Sequence, residues 1–438
     1  MAADTSDLPL LAPAAGPSLG ERARADGVRF LLALFVDLTG KPCAKLVPVE
    51  AADELEHEGV GFAGYAVGAI GQQPCDPDLV AIPDLATYTP LPWVREGLAL
   101  VHCDPHVEGE PWRFAPRVIL RKVLERGGDL ALFAGAEVEY FLVSRDENGE
   151  LTPADAKDVA ARPCYDARGL TRMYDHLTGV SAAMNALGWG NYANDHEDAN
   201  GQFEQNFAYA DALTTADRVI TARYLISVLA EQRGMTATFM PKPFADRTGS
   251  GMHLHLSLWR HGSAEFPAGG GLSQPARHFM AGILAHAAGL QAVLAPTVNS
   301  YKRTGATSTR SGATWSPRRA TYGGNDRTHY VRVPDRHRIE LRGGDGAANP
   351  YLALAAALAA GLDGLDRGLD PDAVVGPDLP PTLLHAVDAL VADPVVVGAL
   401  DAAGPGVAEY FAGLKREEFL DWHAQVGSWE HDRYLTAF

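Results

Sequence analysis

Five glutamates and a His-x-His pair fall in four short segments of this chain, in a pattern that could hold two divalent cations. The segments are AGAEVEYFL (Glu137, Glu139), NDHEDANGQFEQNF (Glu197, Glu204), GSGMHLHLSLW (His253, His255) and RHRIELRGGDGAANPYL (Glu340). Glu137 and Glu139 stand two apart in an apolar, aromatic run, so on a strand both carboxylates face one side. His253 and His255 repeat that spacing, as do Arg338, Glu340 and Arg342, with Ile339 and Leu341 opposite. A sheet face lined this way is costly unless its charges are paired, hydrated or bound to metal. A donor set rich in carboxylate and poor in imidazole suits Mg²⁺ or Mn²⁺ better than zinc. Arg303, Arg327, Arg332, Arg338 and Arg342 crowd the same segments and suit an anionic substrate and phosphate.

Each motif has a plainer reading by itself. The glutamate pair could be a solvated strand face, His-x-His a structural or zinc pair, HEDANGQFE a polar loop, and the arginines surface residues. Their co-occurrence favours one joint site. The chain lacks the phosphate-loop pattern GxxxxGK[ST] and a GxGxxG after a strand, and also HExxH. If it uses ATP, metals and arginines must hold the phosphates.

The elements that must position these residues follow from pattern. Residues 28–47 read as two strands around a turn at Thr39-Gly40, and the Gly-rich stretch 60–75 as a loop. After Phe114–Arg117 a helix, VILRKVLERG, stops at a glycine, and its start is the expected domain boundary. ALFAGAEVEYFLVSRDENGELTP reads as a hairpin with an Asn148-Gly149 turn. Residues 168–188, 211–235, 272–297, 349–368 and 381–424 have helical periodicity, and Met240–Trp259 becomes strand-like. Residues 299–330, rich in Thr, Ser, Gly and Arg, suggest a long functional loop. The division expected is a flexible tail (1–20), an N-terminal domain (21–113) and a catalytic domain (114–438).

Composition narrows the partners. A net charge of -18 argues against nucleic acid. The apolar stretch near Tyr351–Leu362 is too short to span a bilayer. Cys43, Cys75, Cys103 and Cys164 are scattered, which fits a reduced, cytoplasmic protein. The Ala/Pro/Gly-rich start has no basic region and does not read as a signal peptide.

The motifs AEVEYF, MPKPF…GSGMHLHLSL, NSYKR and RIELR…ANPYL, in this order, resemble the glutamine synthetase family over about residues 28–436. The resemblance implies an α+β fold, with an N-terminal β-grasp domain and a catalytic domain whose curved antiparallel sheet, flanked by helices, carries the metals. It implies ATP-dependent activation of the glutamate γ-carboxylate as γ-glutamyl phosphate, which an amine attacks. It also implies a homo-oligomer, a dodecamer of two rings with active sites shared between neighbours. By this carry-over Glu139, Glu197 and Glu204 hold the cation nearer glutamate. Glu137, His253 and Glu340 hold the one that bridges ATP phosphates. His255, Ser257, Arg332 and Arg338 lie at the nucleotide, and Gly249 touches glutamate. Arg303 clamps the α-carboxylate, while Arg327, Arg332 and Arg342 neutralise the charge of phosphoryl transfer.

Two departures redirect the substrate expectation. Ammonia-using members carry an Asp in an FDGSS-like loop, where this chain has FAGYAVG with Ala63. They carry a Glu in a flap after NSYKR, where this chain has Ser308, Thr309 and Arg310. No Asp or Glu lies between Arg303 and Asp326. Losing both acids weakens ammonium binding, because desolvation of a small cation must be offset by charge. Ala63, Tyr65 and Val67 offer an apolar wall instead. The TRSGATWSP text is similar to the branch that makes γ-glutamylmethylamide and related N-alkyl glutamines. No Tyr adjoins Leu379-Pro380-Pro381, so regulation by adenylylation is not expected. The reading is therefore a glutamate–amine ligase for a small primary amine of the methylamine, ethylamine or ethanolamine class. Ordinary glutamine synthesis is the alternative within the family. A silent regulatory or structural homologue and a cupin-like His-x-His protein are the alternatives outside it.

Overall fold

The computed structural model describes residues 16–438, so residues 1–15 of the expected tail lie outside the described residues. The last two residues of that stretch, Leu19 and Gly20, open a helix, Leu19–Ala25, closed by a reciprocal Ser18–Glu21 capping box. Strand Phe30–Val36 then pairs antiparallel with Pro42–Pro48 and parallel with Leu98–Val107. The turn between the first two is tied by Asp37, whose Oδ1 accepts from the Thr39 and Lys41 amides at 2.8 and 3.0 Å. The almost unbroken apolar run FLLALFV requires both faces of its strand to be covered. Leu31, Ala33 and Phe35 enter a small N-terminal core with Leu55, Ile70 and Val101. Leu34 and Val36 point the other way into the main core. The expected loop at 60–75 is more ordered than its glycines suggest. Val60–Phe62 is a strand paired with Leu79–Pro83, and Gly64–Val67 forms one helical turn.

The second sheet is larger and curved, with a helical layer behind it. Its main path runs Ala193–His196, Gln202–Asn206, Leu130–Arg145, Met252–Arg260, Arg338–Leu341, Val331–Asp335 and Tyr322–Gly323. Every neighbouring pair is antiparallel except the last. Behind it lies the Ala-rich helix Pro350–Arg367, with Pro350 at its first turn, Asn349 capping it and Gly368 left-handed at its end. Asn349 also donates to the Asp37 carbonyl at 3.0 Å, which fastens this helix to the N-terminal sheet.

Three expected helices are divided. Residues 168–188 form Ala167–Arg172 and Tyr174–Ala186. Residues 272–297 form Gln274–Ala285 and Ala287–Leu294, meeting at His286, whose ring bridges Asp363 and Asp393 at 3.0 and 2.7 Å. Residues 381–424 form Leu383–Val391, Pro394–Leu400 and Val407–His423. The breaks fall at Asp393-Pro394 and at Gly404 and Gly406, both at positive φ. Periodicity reports the apolar face of each piece but not these short interruptions.

Arg117 joins the two sheets. It donates to Asp84 and Asp104 of the N-terminal part at 2.7 and 2.8 Å, and to Asp217 of helix Ala212–Glu231 at 2.9 Å. Tyr351 adds a 2.6 Å hydrogen bond to the same Asp217. A buried guanidinium held by three carboxylates satisfies its donors in one arrangement only, which fixes how the units dock. No single helix among the described residues is long and apolar enough to cross a membrane.

Helix Gln274–Ala285 crosses the Ala-rich helix at a glycine contact. A Cβ at Gly282 would stand 2.0 Å from the Ala360 carbonyl oxygen, and one at Gly364 would stand 2.1 Å from that of His278. Backbone cannot yield as a side chain can, so Gly282→Ala should destabilise the protein by about 1–3 kcal/mol. Gly398→Ala is the control, since its Cβ would meet nothing within 4 Å. Thermal unfolding of both variants checks this, with a lowered midpoint expected for Gly282→Ala alone.

Candidate active site

Strand register assembles the site. Glu204 lies opposite Glu139 and Asn206 opposite Glu137. On the other side of the same strand His253 lies opposite Glu137. One strand further, His255 lies opposite Glu340. With side chains alternating between faces, this register gathers the polar groups on one face. Val138, Tyr140, Leu254, Leu256, Ile339 and Leu341 are buried on the other.

Glu137 is the hub of the hydrogen-bonded pairs. Its Oε2 meets His253 Nδ1 and its Oε1 meets His255 Nε2, each at 2.8 Å. Glu340 is buried and accepts from Arg332 Nη1 at 2.6 Å and from Arg342 Nη1. Arg332 is itself held by Asn325 Oδ1, 2.9 Å from its Nε. Glu139 accepts from the Gly251 amide at 2.8 Å and from Gln202 Nε2 at 3.1 Å. Glu204 accepts from Asn206 Nδ2 at 2.7 Å.

The electrostatics divide these carboxylates. Burial pushes Glu137 up, but the hydrogen bonds of His253 and His255 outweigh it and hold the carboxyl well below its ordinary range. Burial also opposes ionisation of Glu340, yet the nearby His253 and Arg342 hold it low. Glu197 and Glu204 are pushed well above the ordinary range, first by burial and then by neighbouring glutamates, Glu139 and Glu137 among them. Among the described residues, these last two have no cation against them, and a bound divalent ion would reverse their preference.

The donors fit metal. One ligand atom each from Glu137, His255 and Glu340 lies within 4.8 Å of the others. His255 thus joins the ligand candidates, besides lying at the cleft where the nucleotide is expected. His253 Nε2 and His255 Nδ1 are buried and have no hydrogen-bond partner among the described residues. Gly251 keeps the centre open. A Cβ there would stand 2.8 Å from His253 Nε2 and 3.0 Å from both Arg303 Nη2 and Glu139 Oε1.

Arg303 comes from the short helix Ser300–Thr304 and is buried beside Gly249 and Gly251. Burial lowers its pKa against the pull of Asp345 and Glu139, and its Nη1 has no partner among the described residues. A buried guanidinium with a free donor is prepared for a carboxylate. On the opposite side, a cavity of about 400 Å³ opens between Glu137, His255, Ser257 and Arg338 and an aromatic wall that includes Tyr209 and Trp259.

The remaining expected residues are placed as follows. Glu197 follows His196, whose Nε2 is 2.8 Å from Asp158 and whose Nδ1 is 2.9 Å from the Glu197 carbonyl. Arg327 is exposed, but lies near that loop. Burial, together with Glu197, Asp198 and Asp195, pushes the Cys164 thiol up to about 12, and Arg327 acts against that rise. Arg338 is half-exposed and paired with Asp335 at 3.4 Å. Thr309 bonds within its own loop, to Ser311 and the Ala313 carbonyl. Ala63 and Tyr65 are exposed on the N-terminal part. Among the described residues, no hydrogen bond or ion pair joins them to the carboxylates and arginines.

Sequence reasoning missed Gln202, Gly251, Asp158 and Asp198. Gln202 was findable, because it alternates with Glu204 on one strand face and reaches Glu139. Asp158 was not, since it bonds His196 across 38 residues of chain.

Comparison with known proteins agrees with this geometry. A family model described as glutamine synthetase, catalytic domain, matches residues 113–434. The chain is 41% identical to the glutamine synthetase of Rhizobium meliloti over 432 residues, covering 95% of this chain and 98% of that relative. It is 38% identical over 442 residues to the glutamate–methylamine ligase of Methyloversatilis universalis, covering 94% of this chain and 97% of that relative. Among solved structures, a GmaS/ADP complex has a TM-score of 0.90 at 46% identity, covering 95% of this chain and 99% of that one. Apo GmaS without ligand has a TM-score of 0.89 at 45% identity, covering 96% and 100%. Matches that run through every segment supplying the carboxylates, imidazoles and buried arginines establish that the chain belongs to the glutamine synthetase family of carbon–nitrogen ligases.

Proposed function

We propose that this protein uses ATP to join the γ-carboxylate of glutamate to a small primary amine, of the methylamine, ethylamine or ethanolamine class, through γ-glutamyl phosphate. The observation that carries the reading is the segment after Arg303. It has no acidic residue before Asp326, with Ser308, Thr309 and Arg310 in the region where ammonia-using relatives are expected to carry a glutamate, and its Ser311 hydroxyl and Trp315 indole donate to Asp198. Overall identity does not choose between amines, since a glutamine synthetase and a glutamate–methylamine ligase match at 41% and 38%.

The chain's own groups suit the chemistry. Glu139, Glu197 and Glu204 would hold one cation, and Glu137, His253 and Glu340 the other, with His255 beside them. Mg²⁺ or Mn²⁺, when bound, would supply charge neutralisation for the phosphates and the γ-carboxylate. Arg303 fixes the α-carboxylate of glutamate beside Gly249. Arg342 and Arg332, anchored on Glu340, and Arg327 at the rim offset the charge of phosphoryl transfer. The aromatic cavity beside His255 and Ser257 takes the nucleotide base, with Arg338 at its edge. Phosphoryl transfer is mostly positioning and charge stabilisation, which this arrangement supplies. Ala63 and Tyr65, exposed in one chain, complete a neighbour's site in a homo-oligomer of two stacked rings and give the amine its apolar wall. The free cysteines fit a reducing, cytoplasmic setting.

Glu139→Ala and Glu340→Ala should each abolish activity, as should a chelator without added divalent ion. Full turnover in chelator would remove the metals from the reaction. Arg303→Lys should raise the KM for glutamate and leave that for ATP nearly unchanged, because a two-pronged contact becomes a point charge. Equal shifts in both would place Arg303 elsewhere.

The amine is tested with a panel at matched free-base concentration. Each buried CH₂ contributes about 0.8 kcal/mol, so a two-carbon chain gains roughly tenfold over ammonia. kcat/KM for methylamine, ethylamine or ethanolamine should therefore exceed that for ammonia, and Ala63→Asp should move the ratio toward ammonia. Ammonia as the best substrate would make this an ordinary glutamine synthetase, and no glutamate-dependent ADP formation with any amine would make it a silent homologue.

A further inference from the structure

Asp198 is buried, adjoins Glu197, and collects three donors on one oxygen. Thr248 Oγ1 lies 3.0 Å from its Oδ2, Ser311 Oγ 2.5 Å and Trp315 Nε1 2.8 Å. Two of the three come from the segment that follows Arg303, and the third from the run that carries Gly249. The same segment is held at its far end by Arg342, whose Nη2 donates to the Trp315 carbonyl at 3.3 Å. Trp315 is one of few non-glycine residues at positive φ, 57°, a conformation that persists only where its surroundings impose it. Indole and carbonyl are both fixed, on Asp198 and on Arg342, so this residue is pinned between two groups of the site.

From this geometry we propose that Asp198 is a positioning residue, a latch that holds the Thr309–Trp315 segment closed over the reacting γ-carboxyl. The proposal rests on the ligase reading above and deepens it. Where a flap carries its own acid, that acid can face the amine. Here the segment is neutral apart from Arg310, and the closing charge sits beneath it on the Glu197 loop. A carboxylate that accepts three hydrogen bonds holds its donors strongly, so the segment is anchored through Asp198 and carries no acid of its own.

Closure matters because water competes with the amine. In the side reaction water adds its oxygen to the γ-carbonyl carbon of γ-glutamyl phosphate. The bond from that carbon to the phosphate oxygen breaks, and phosphate leaves with the electron pair. The surplus proton of the water passes to phosphate or solvent, so glutamate and phosphate are the products. A latched segment excludes water at this stage, and an unlatched one admits it.

The test uses the full chain with Asp198→Ala, Ser311→Ala and Trp315→Phe. One readout is trypsin cleavage after the exposed Arg310, followed by mass spectrometry. The other is the ratio of phosphate released to amide formed, with glutamate and ATP saturating and amine varied. Loss of hydrogen bonds to a charged acceptor should speed cleavage and raise the amine KM roughly tenfold in Asp198→Ala. The KM values for glutamate and ATP should stay within about twofold, and the phosphate-to-amide ratio should rise well above that of the parent. Ser311→Ala and Trp315→Phe should show smaller changes in the same direction, and they carry the test if Asp198→Ala does not fold. Unchanged cleavage and unchanged coupling in the folded variants overturn the latch. Faster cleavage with unchanged amine KM and coupling also overturns it, leaving Asp198 a purely structural anchor. If the parent protein makes no ADP from glutamate and ATP with any amine, the ligase reading fails instead. The cleavage readout then decides by itself whether Asp198 holds the segment.

Discussion

The mutual repulsion of carboxylates on one sheet face is the constraint around which this protein is arranged. At the 4.8 Å that brackets Glu137 and Glu340, two like charges repel by about 3–4 kcal/mol in surroundings of effective dielectric near 20. The chain meets this repulsion in two ways. Glu137 and Glu340 are given cationic or hydrogen-bonding partners, His253 and His255 for one, Arg332 and Arg342 for the other. Glu197 and Glu204 have no cationic partner among the described residues and are pushed toward their neutral forms. That division leaves a demand for positive charge on one side of the cluster, which divalent ions meet. A sheet without metal chemistry would gain nothing from keeping these groups together.

The surroundings keep the donors in place. Gln202 and the Gly251 amide orient Glu139, Asn206 orients Glu204, and the His196–Asp158 pair holds the backbone of Glu197. The Arg117 cluster acts at a larger scale. It fixes the N-terminal sheet against helices Ala212–Glu231 and Pro350–Arg367, so the loop bearing Ala63 has a definite place relative to the catalytic sheet.

On the proposed reading, substrate choice turns on where negative charge sits around the amine. In this chain the acids expected opposite ammonium are missing from both the Ala63 loop and the segment after Arg303. The nearby carboxylate of Asp198 is occupied by the segment's own donors. On the proposed reading, an alkylamine gains apolar contact along its carbon chain that ammonium cannot make.

The sequence by itself determined the ligand-bearing strands. Period-two spacing in Glu137/Glu139, His253/His255 and Glu340/Arg342 can be read without a structure, because alternation on a strand is a local property. The Asn148-Gly149 turn and most helices were legible for the same reason, and the shared motifs named the family. The helix breaks at His286 and Asp393-Pro394 were not legible, since periodicity continues across them. The order of strands was decided by the tertiary structure alone. It put Glu204 against Glu139 and His255 against Glu340, and it brought His255 among the ligand candidates. It also brought Asp158 to His196 and Asp198 to Ser311 and Trp315. These pairs are separated by 38, 113 and 117 residues. Local pattern carries no information about such closures, which depend on how whole elements pack.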